Sequence, residues 1–120
     1  MEKDLVAPCG MNCGVCEHFL RGENKCPGCR NGRLVNQKPI RCAILQCKER
    51  RGEYCFECAS FPCDRLRRMD VRYHTKYGMS EIENLKMIEN KGIACFLERE
   101  EERWVNEEGT LCVHNGKRYL

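Results

Sequence analysis

Ten of the twelve cysteines in this 120-residue chain fall between positions 9 and 63, in close groups. Cysteine at this density in a short chain implies a scaffold of disulfides or of metal–thiolate bonds. The first residues, Met1-Glu2-Lys3-Asp4, hold no apolar stretch and lead to no small-residue cleavage site, so no secretory leader is expected. No run approaches the ~18 apolar residues of a membrane span. A cytoplasmic protein is expected, and a reducing cytoplasm favours thiolate–metal bonds over structural disulfides. Disulfides stay open as an alternative because the number of cysteines is even.

The spacing suits zinc. The first group runs Cys9-x3-Cys13-x2-Cys16, then Cys26-x2-Cys29; the second runs Cys42-x4-Cys47, then Cys55-x2-Cys58-x4-Cys63. A CxxC pair in a tight turn, a zinc knuckle, aims two sulfurs at one point about 2.3 Å away, as tetrahedral zinc requires. Cys13 and Cys16 with Cys26 and Cys29 make one four-sulfur set, and Gly28 suits the second turn because it tolerates positive φ. In the second group Cys55 and Cys58 form a knuckle. Cys63, in the first turn of a helix, adds a third sulfur where the helix N-terminus favours thiolate. Cys42 and Cys47 lie about 140° apart around a regular helix, so both cannot face one ion; Cys47, nearer the knuckle, is the expected fourth ligand. Cys9 and Cys42 are then spare. Cys42 remains open as a ligand of the first set, a thiol beside a ligand or a buried thiol, and interleaved ligation between the groups also stays open. Cys95 reads as a small core residue of the last helix. Cys112-x-His114 reads as a turn before Asn115-Gly116 rather than a ligand pair.

Two structural zinc ions would also answer a shortage of apolar material. Hydrophobic residues are 42% of the chain when cysteine is counted, and about a third without it, thin for this size. A structural zinc site contributes on the order of 10 kcal/mol to a folded state. The formal charge of +3 is uneven: residues 1–79 carry 15 Lys and Arg against 9 Asp and Glu, residues 80–120 carry 6 against 9. Eight thiolates on two Zn²⁺ would take the total to −1, so the basic excess serves mostly as countercharge for sulfur.

The expected fold is mostly α: a small, irregular, metal-stapled domain. Short helices and cysteine knuckles fill residues 1–78, and a helical part, residues 79–120, packs on them as one compact unit with two longer helices. Cys13 to Leu20 reads as two helical turns stopped by Gly22, residues 23–41 as loop, and Cys42 to Arg51 as a helix ended by Gly52. Ser60-Phe61-Pro62 reads as a helix opening, with fraying from Tyr73 to Gly78. Ser80 and Glu83 form a capping box. Ile82, Leu85 and Ile88 share one helix face. Ile93, Phe96, Leu97 and Trp104 mark the buried side of a last helix, whose other side (Glu98, Glu100, Glu101, Glu102, Arg103) reads as solvated. Residues 109–120 read as a short tail.

Rival chemistries leave fewer marks. Sulfur-only ligation suits an iron–sulfur cluster as well as zinc, so an electron-transfer or redox-sensing cluster is the main alternative. Cys9-x3-Cys13-x2-Cys16 also matches the loop of radical S-adenosylmethionine enzymes, but that chemistry needs a barrel of alternating strands and helices that this pattern lacks. A redox CxxC pair would not be crowded by eight other cysteines. There is no nucleotide loop, nucleophile elbow or metalloprotease histidine pair, so no catalysis is evident. His18, two residues past Cys16, stays open as a metal contact, with a solvated helix residue as the first reading. Arg65, Arg67, Arg68, Arg72 and Lys76, with Tyr73, His74 and Tyr77, form a basic segment; a solvated helix side is the first reading and a nucleic-acid surface the second.

The runs Cys9-Gly10-Met11-Asn12-Cys13-Gly14-Val15-Cys16, Cys26-Pro27-Gly28-Cys29, Cys42-Ala43-Ile44-Leu45-Gln46-Cys47 and Tyr54-Cys55-Phe56-Glu57-Cys58-Ala59-Ser60-Phe61-Pro62-Cys63 resemble an uncharacterised cysteine-rich prokaryotic family catalogued as domain of unknown function 3795. The stretch from Glu83 to Trp104 fits too. The resemblance implies a bacterial or archaeal cytosol and metal binding at the ten N-terminal cysteines, and no reaction. Relatives often carry further cysteine pairs after the tryptophan; here Val105 to Glu108 and Lys117 to Tyr119 stand in those places, so a third metal site is not expected. The expectation is a structural zinc protein acting as an interaction module, with a protein partner, or alternatively nucleic acid, and no membrane.

Overall fold

Residues 6–15 are buried at every position, and the other segments close around them. The computed structural model describes residues 1–31, 34–35, 38–39, 42, 44, 47–49 and 52–120. The buried segment doubles back through a bridge between Val6 and Asn12. Ala7 N–H donates to the Met11 carbonyl and Gly10 N–H to the Ala7 carbonyl, each at 2.9 Å. Gly10 has φ +91°, and a side chain there would strike the backbone of Glu81 and the Leu85 side chain. The loop is therefore shaped by a backbone only glycine tolerates, against a helix that leaves no room for a methyl group.

A 3-10 turn at Cys13–Val15 is followed by helix α1, Glu17–Leu20. They are not the continuous two turns expected, because Cys16 between them is extended (φ −81°, ψ 137°). The expected loop over residues 23–41 contains an antiparallel pair, β1 (Leu34–Val35) and β2 (Lys38–Pro39). The expected helix from Cys42 falls partly on Ala43, Leu45, Gln46, Arg50 and Arg51, which lie outside the described residues; Cys42, Ile44, Cys47, Lys48 and Glu49 are not helical. Ile44 and Cys47 instead close a turn, with Cys47 N–H donating to the Ile44 carbonyl at 3.2 Å. Helical propensity there yields to tertiary placement.

Helix α2, Asp64–Tyr77, begins with Cys63 as its N-cap rather than at Ser60. It does not fray from Tyr73, but runs on to Gly78, which stops it in the left-handed conformation (φ 68°, ψ 20°). Helix α3, Glu81–Lys91, starts as its sequence requires: the Ser80 side chain accepts from Glu83 N–H at 3.1 Å. Asp70 of α2 reinforces the junction, accepting from the Ser80 hydroxyl (2.9 Å) and from Ile82 N–H (3.1 Å). Helix α4, Ile93–Trp104, follows Gly92 directly. The expected tail is a small antiparallel sheet in the order β3-β4-β5, made of Val105–Asn106, Gly109–Leu111 and Arg118–Tyr119. The fold is mostly α, and α3 packs on both α2 and α4.

The apolar core is continuous across Gly78. It joins Val6, Met11 and Val15 to Leu66, Leu85, Ile88, Phe96 and Trp104. Two expectations about α4 are corrected. Cys95 is exposed, not a core residue. Glu100 is 3% exposed rather than part of the solvated face, because it stands four residues from both Phe96 and Trp104, on the buried stripe. Its carboxylate accepts from Asn12 Nδ2 at 3.1 Å and Trp104 Nε1 at 3.2 Å. Asn12 in turn accepts from Gly14 N–H at 2.9 Å. The turn before Cys13 is thus fixed to α4 by a buried polar chain.

Asn12→Ala removes one donor from a buried carboxylate and should cost about 2–3 kcal/mol in urea unfolding, whereas Glu98→Ala on the exposed face should stay within about 0.5 kcal/mol.

Candidate metal centres

The ten N-terminal cysteines line two neighbouring cavities. The larger, of about 580 Å³, is walled by Cys9, Cys13, Cys16, Cys26, Cys29 and Cys42. The smaller, of about 30 Å³, is walled by Cys47, Cys55, Cys58 and Cys63 with Ile44, Phe61 and Leu66. Ile44 and Arg65 line both.

Local turns place the sulfurs. Cys16 N–H donates to the Cys13 carbonyl and Cys58 N–H to the Cys55 carbonyl, each at 3.1 Å, so these two of the three CxxC pairs fold as single 3-10 turns. Asn12 caps the first turn through Gly14 N–H. The second is closed by Glu57, whose carboxylate accepts from Tyr54 N–H at 2.9 Å. Cys63 arrives from the N-cap of α2, one position before the helical turn expected for it. Two bonds tie the groups together: Cys55 N–H to the Pro8 carbonyl (2.9 Å) and Arg30, beside Cys29, to the Glu53 carbonyl, while Arg30 also donates to the Val6 carbonyl (2.6 Å) within the first group. Arg30 also stands over the Tyr54 ring, 5.0 Å from its centroid.

The sulfurs line walls rather than meeting at points: among the described residues no three His, Cys, Asp or Glu side chains stand in a metal-holding arrangement. The donor chemistry nonetheless fits a borderline-soft ion. Each cavity offers at least four sulfurs and a CxxC turn, and Cys29 N–H already donates to Cys13 Sγ at 3.4 Å, the kind of hydrogen bond that steadies a ligating thiolate. Left to themselves these thiols resist ionisation. Burial pushes Cys9 and Cys16 upward, and the hydrogen bond with Cys29, followed by burial, pushes Cys13 upward. A divalent cation reverses that logic, since it stabilises the thiolate it binds.

The far wall of the larger cavity is aromatic and basic. Tyr73, Tyr77 and Arg72 come from α2, and His114 from the turn between β4 and β5. His114 Nδ1 accepts from Glu17 N–H at 3.1 Å, which leaves the ring proton on Nε2, 3.2 Å from the Tyr73 hydroxyl. Burial lowers the His114 pKa and raises that of Tyr73, so both are held neutral. His18, expected in solvent, lines this cavity too, and its Nδ1 is buried without a hydrogen-bond partner among the described residues. Cys112 is buried and lines neither cavity.

A family model described as "protein of unknown function (DUF3795)" matches residues 5–68, which hold all ten of these cysteines. The chain belongs to this family. Neither a curated protein nor a solved structure gives a significant match. The matched segment ends inside α2, so α3, α4 and the β3–β5 sheet of this DUF3795 protein lie outside it. Among the described residues no helix is long and apolar enough to cross a membrane.

Sequence reasoning missed Glu81. It follows the Ser80 cap, is fully buried, and has no partner for either carboxylate oxygen among the described residues. Burial first, then Asp70, pushes its pKa up to about 8. Nothing in residues 80–83 beyond the capping box signals this, because burial is set by the loop at Gly10.

The folded state keeps the Glu81 proton to a higher pH than the unfolded chain does. Stability carried by this group should therefore fall as pH rises from about 4.5 to about 8 and level off above. Urea unfolding across that range should show the difference between wild type and Glu81→Gln shifting in favour of the glutamine variant toward pH 8.

Proposed function

We propose that this DUF3795 protein is a zinc–thiolate interaction module: zinc in both cysteine-lined cavities holds together a surface that binds a protein partner, without catalysis. The observation that carries the reading is the division of the ten cysteines into walls of six and four around two cavities. The smaller cavity has the volume of about one water molecule, so its four sulfurs suit a single ion. Zinc fits the all-sulfur donor set and brings no redox chemistry.

The surface on offer is the outer face of α2. Arg67, Arg68 and His74 are exposed there, and Val71 is 65% exposed among them. A basic face with an apolar patch suits an acidic protein surface. It suits nucleic acid less, because the aromatics that would stack on bases are engaged elsewhere: Tyr77 packs edge-on against His114 at 4.9 Å, and Tyr73 bonds to the same ring.

The second reading, an iron–sulfur centre, is favoured by the size of the six-cysteine cavity. Elemental analysis and an optical spectrum of anaerobically purified protein separate the two. The zinc reading predicts a colourless protein with at least two zinc ions per chain, one of them lost in Cys55→Ser. Iron with visible absorption, or a metal-free folded chain, contradicts it.

A further inference from the structure

The larger cavity is far roomier than an ion needs. Its volume of about 580 Å³ compares with about 30 Å³ at the four-cysteine cavity. It falls within the range of small-molecule sites, roughly 300–1,000 Å³. Cysteines account for one wall. The far wall is a single stripe of α2: Arg65, Met69, Arg72, Tyr73 and Tyr77 follow one another at helical spacing along one face.

That stripe presents donors. His114 Nδ1 is occupied by Glu17 N–H, so its Nε2–H donates to the Tyr73 hydroxyl at 3.2 Å. Tyr73 Oη is the acceptor of this pair, which leaves its own proton to donate toward the cavity that the ring lines. Tyr77, edge-on to His114 at 4.9 Å, steadies the imidazole. Arg65 and Arg72 line the same cavity and are exposed, so they stand at its mouth. Glu17 is the one carboxylate on the described lining. His18 Nδ1 is buried beside this wall with no hydrogen-bond partner among the described residues, and a polar ligand atom would satisfy it. Phe19, Ile44 and Met69 add apolar surface.

We propose that the larger cavity binds a small organic anion, a carboxylate or phosphate monoester on an apolar body, whose oxygens take the Tyr73 hydroxyl and the guanidinium groups of Arg65 and Arg72. The site goes beyond the protein-binding surface proposed above and holds whichever metal the sulfurs carry. A guanidinium fork matches both headgroups in geometry and charge. Arg72 lines the cavity rather than joining Arg67, Arg68 and His74 on the outer face of α2, so that surface does not account for it. Countercharge for thiolates is the plainer role for two arginines. It explains neither the volume beyond the sulfurs nor a tyrosine hydroxyl that His114 leaves free to donate.

The test is a ligand-detected NMR titration of the metal-loaded full chain with phenyl phosphate, benzoate and the uncharged benzyl alcohol. At least one of the two anions should bind in the millimolar range or tighter, as probes this small allow, and benzyl alcohol about tenfold more weakly. Whichever anion binds tighter names the headgroup. Arg72→Gln and Tyr73→Phe should each weaken that anion by about tenfold, with metal content and urea midpoint unchanged. Arg67→Gln, on the outer face, should bind it as the wild type does. Equal affinity for benzyl alcohol, an equal loss in Arg67→Gln, or no binding of either anion would overturn the proposal. So would unchanged binding in Arg72→Gln and Tyr73→Phe, whether or not Arg72→Gln loses metal as a countercharge role would have it. If Arg72→Gln loses metal and anion together, Tyr73→Phe decides alone. Iron in place of zinc, with anion binding intact, would contradict the zinc reading and leave this site standing.

Discussion

The loop at residues 6–15 is the constraint on which the rest of the structure depends. It is buried along its whole length, yet it is backbone turn rather than helix or sheet, so its polar groups need partners from elsewhere. They come from every side. Asn84 of α3 donates to the Gly10 carbonyl at 2.9 Å, Cys55 N–H to the Pro8 carbonyl, and Val113 N–H to the Val15 carbonyl at 2.9 Å. Arg30 takes the Val6 carbonyl, and Glu100 of α4 holds Asn12. The segments that satisfy the loop are those that carry the other cysteines or form the C-terminal half. Closing the fold and arranging the sulfurs are one event.

That coupling explains why the C-terminal half exists as it does. The family match ends at residue 68, but the cysteine loop draws its partners from α3, α4 and the β4–β5 turn as well. α3 supplies Leu85 and the wall against Gly10, and α4 supplies Phe96, Glu100 and Trp104. The turn after β4 brings His114 to the edge of the larger cavity. A short chain with little apolar material thus uses its helices as a brace for the sulfur-bearing loop, and the proposed metal–sulfur bonds would supply free energy that the core alone lacks.

Much of this was legible in the sequence, for identifiable reasons. The capping signal at Ser80 and the stop at Gly92 act locally, so α3 could be read from its own residues. The knuckle at Cys55–Glu57 was likewise a matter of neighbours. What escaped was set at long range. Cys42 to Arg51 has the composition of a helix, but Ile44 and Cys47 are drawn into the cavity walls and the described residues there turn instead. Glu100 sits in an acidic run that looks solvated; only its spacing from Phe96 and Trp104 betrayed it. Glu81 gave no local sign, because its burial depends on the loop at Gly10; His18, two residues past Cys16, reads first as solvated, and its half-burial depends on the far wall built by α2. The strands, each of two or three residues, were too short for a period-2 pattern to show.

The central claim is that bound ions hold the loop, and through it the whole chain, in place. Trp104 is the sole tryptophan and bonds to the carboxylate that fixes Asn12 between Cys9 and Cys13, so its fluorescence reports the loop directly. The decisive measurement is a chelator titration of the reduced protein, following metal release and Trp104 emission together. Emission that moves to the red in step with metal loss, and returns on adding zinc, is the predicted result. Complete removal of metal with Trp104 still buried would contradict the account.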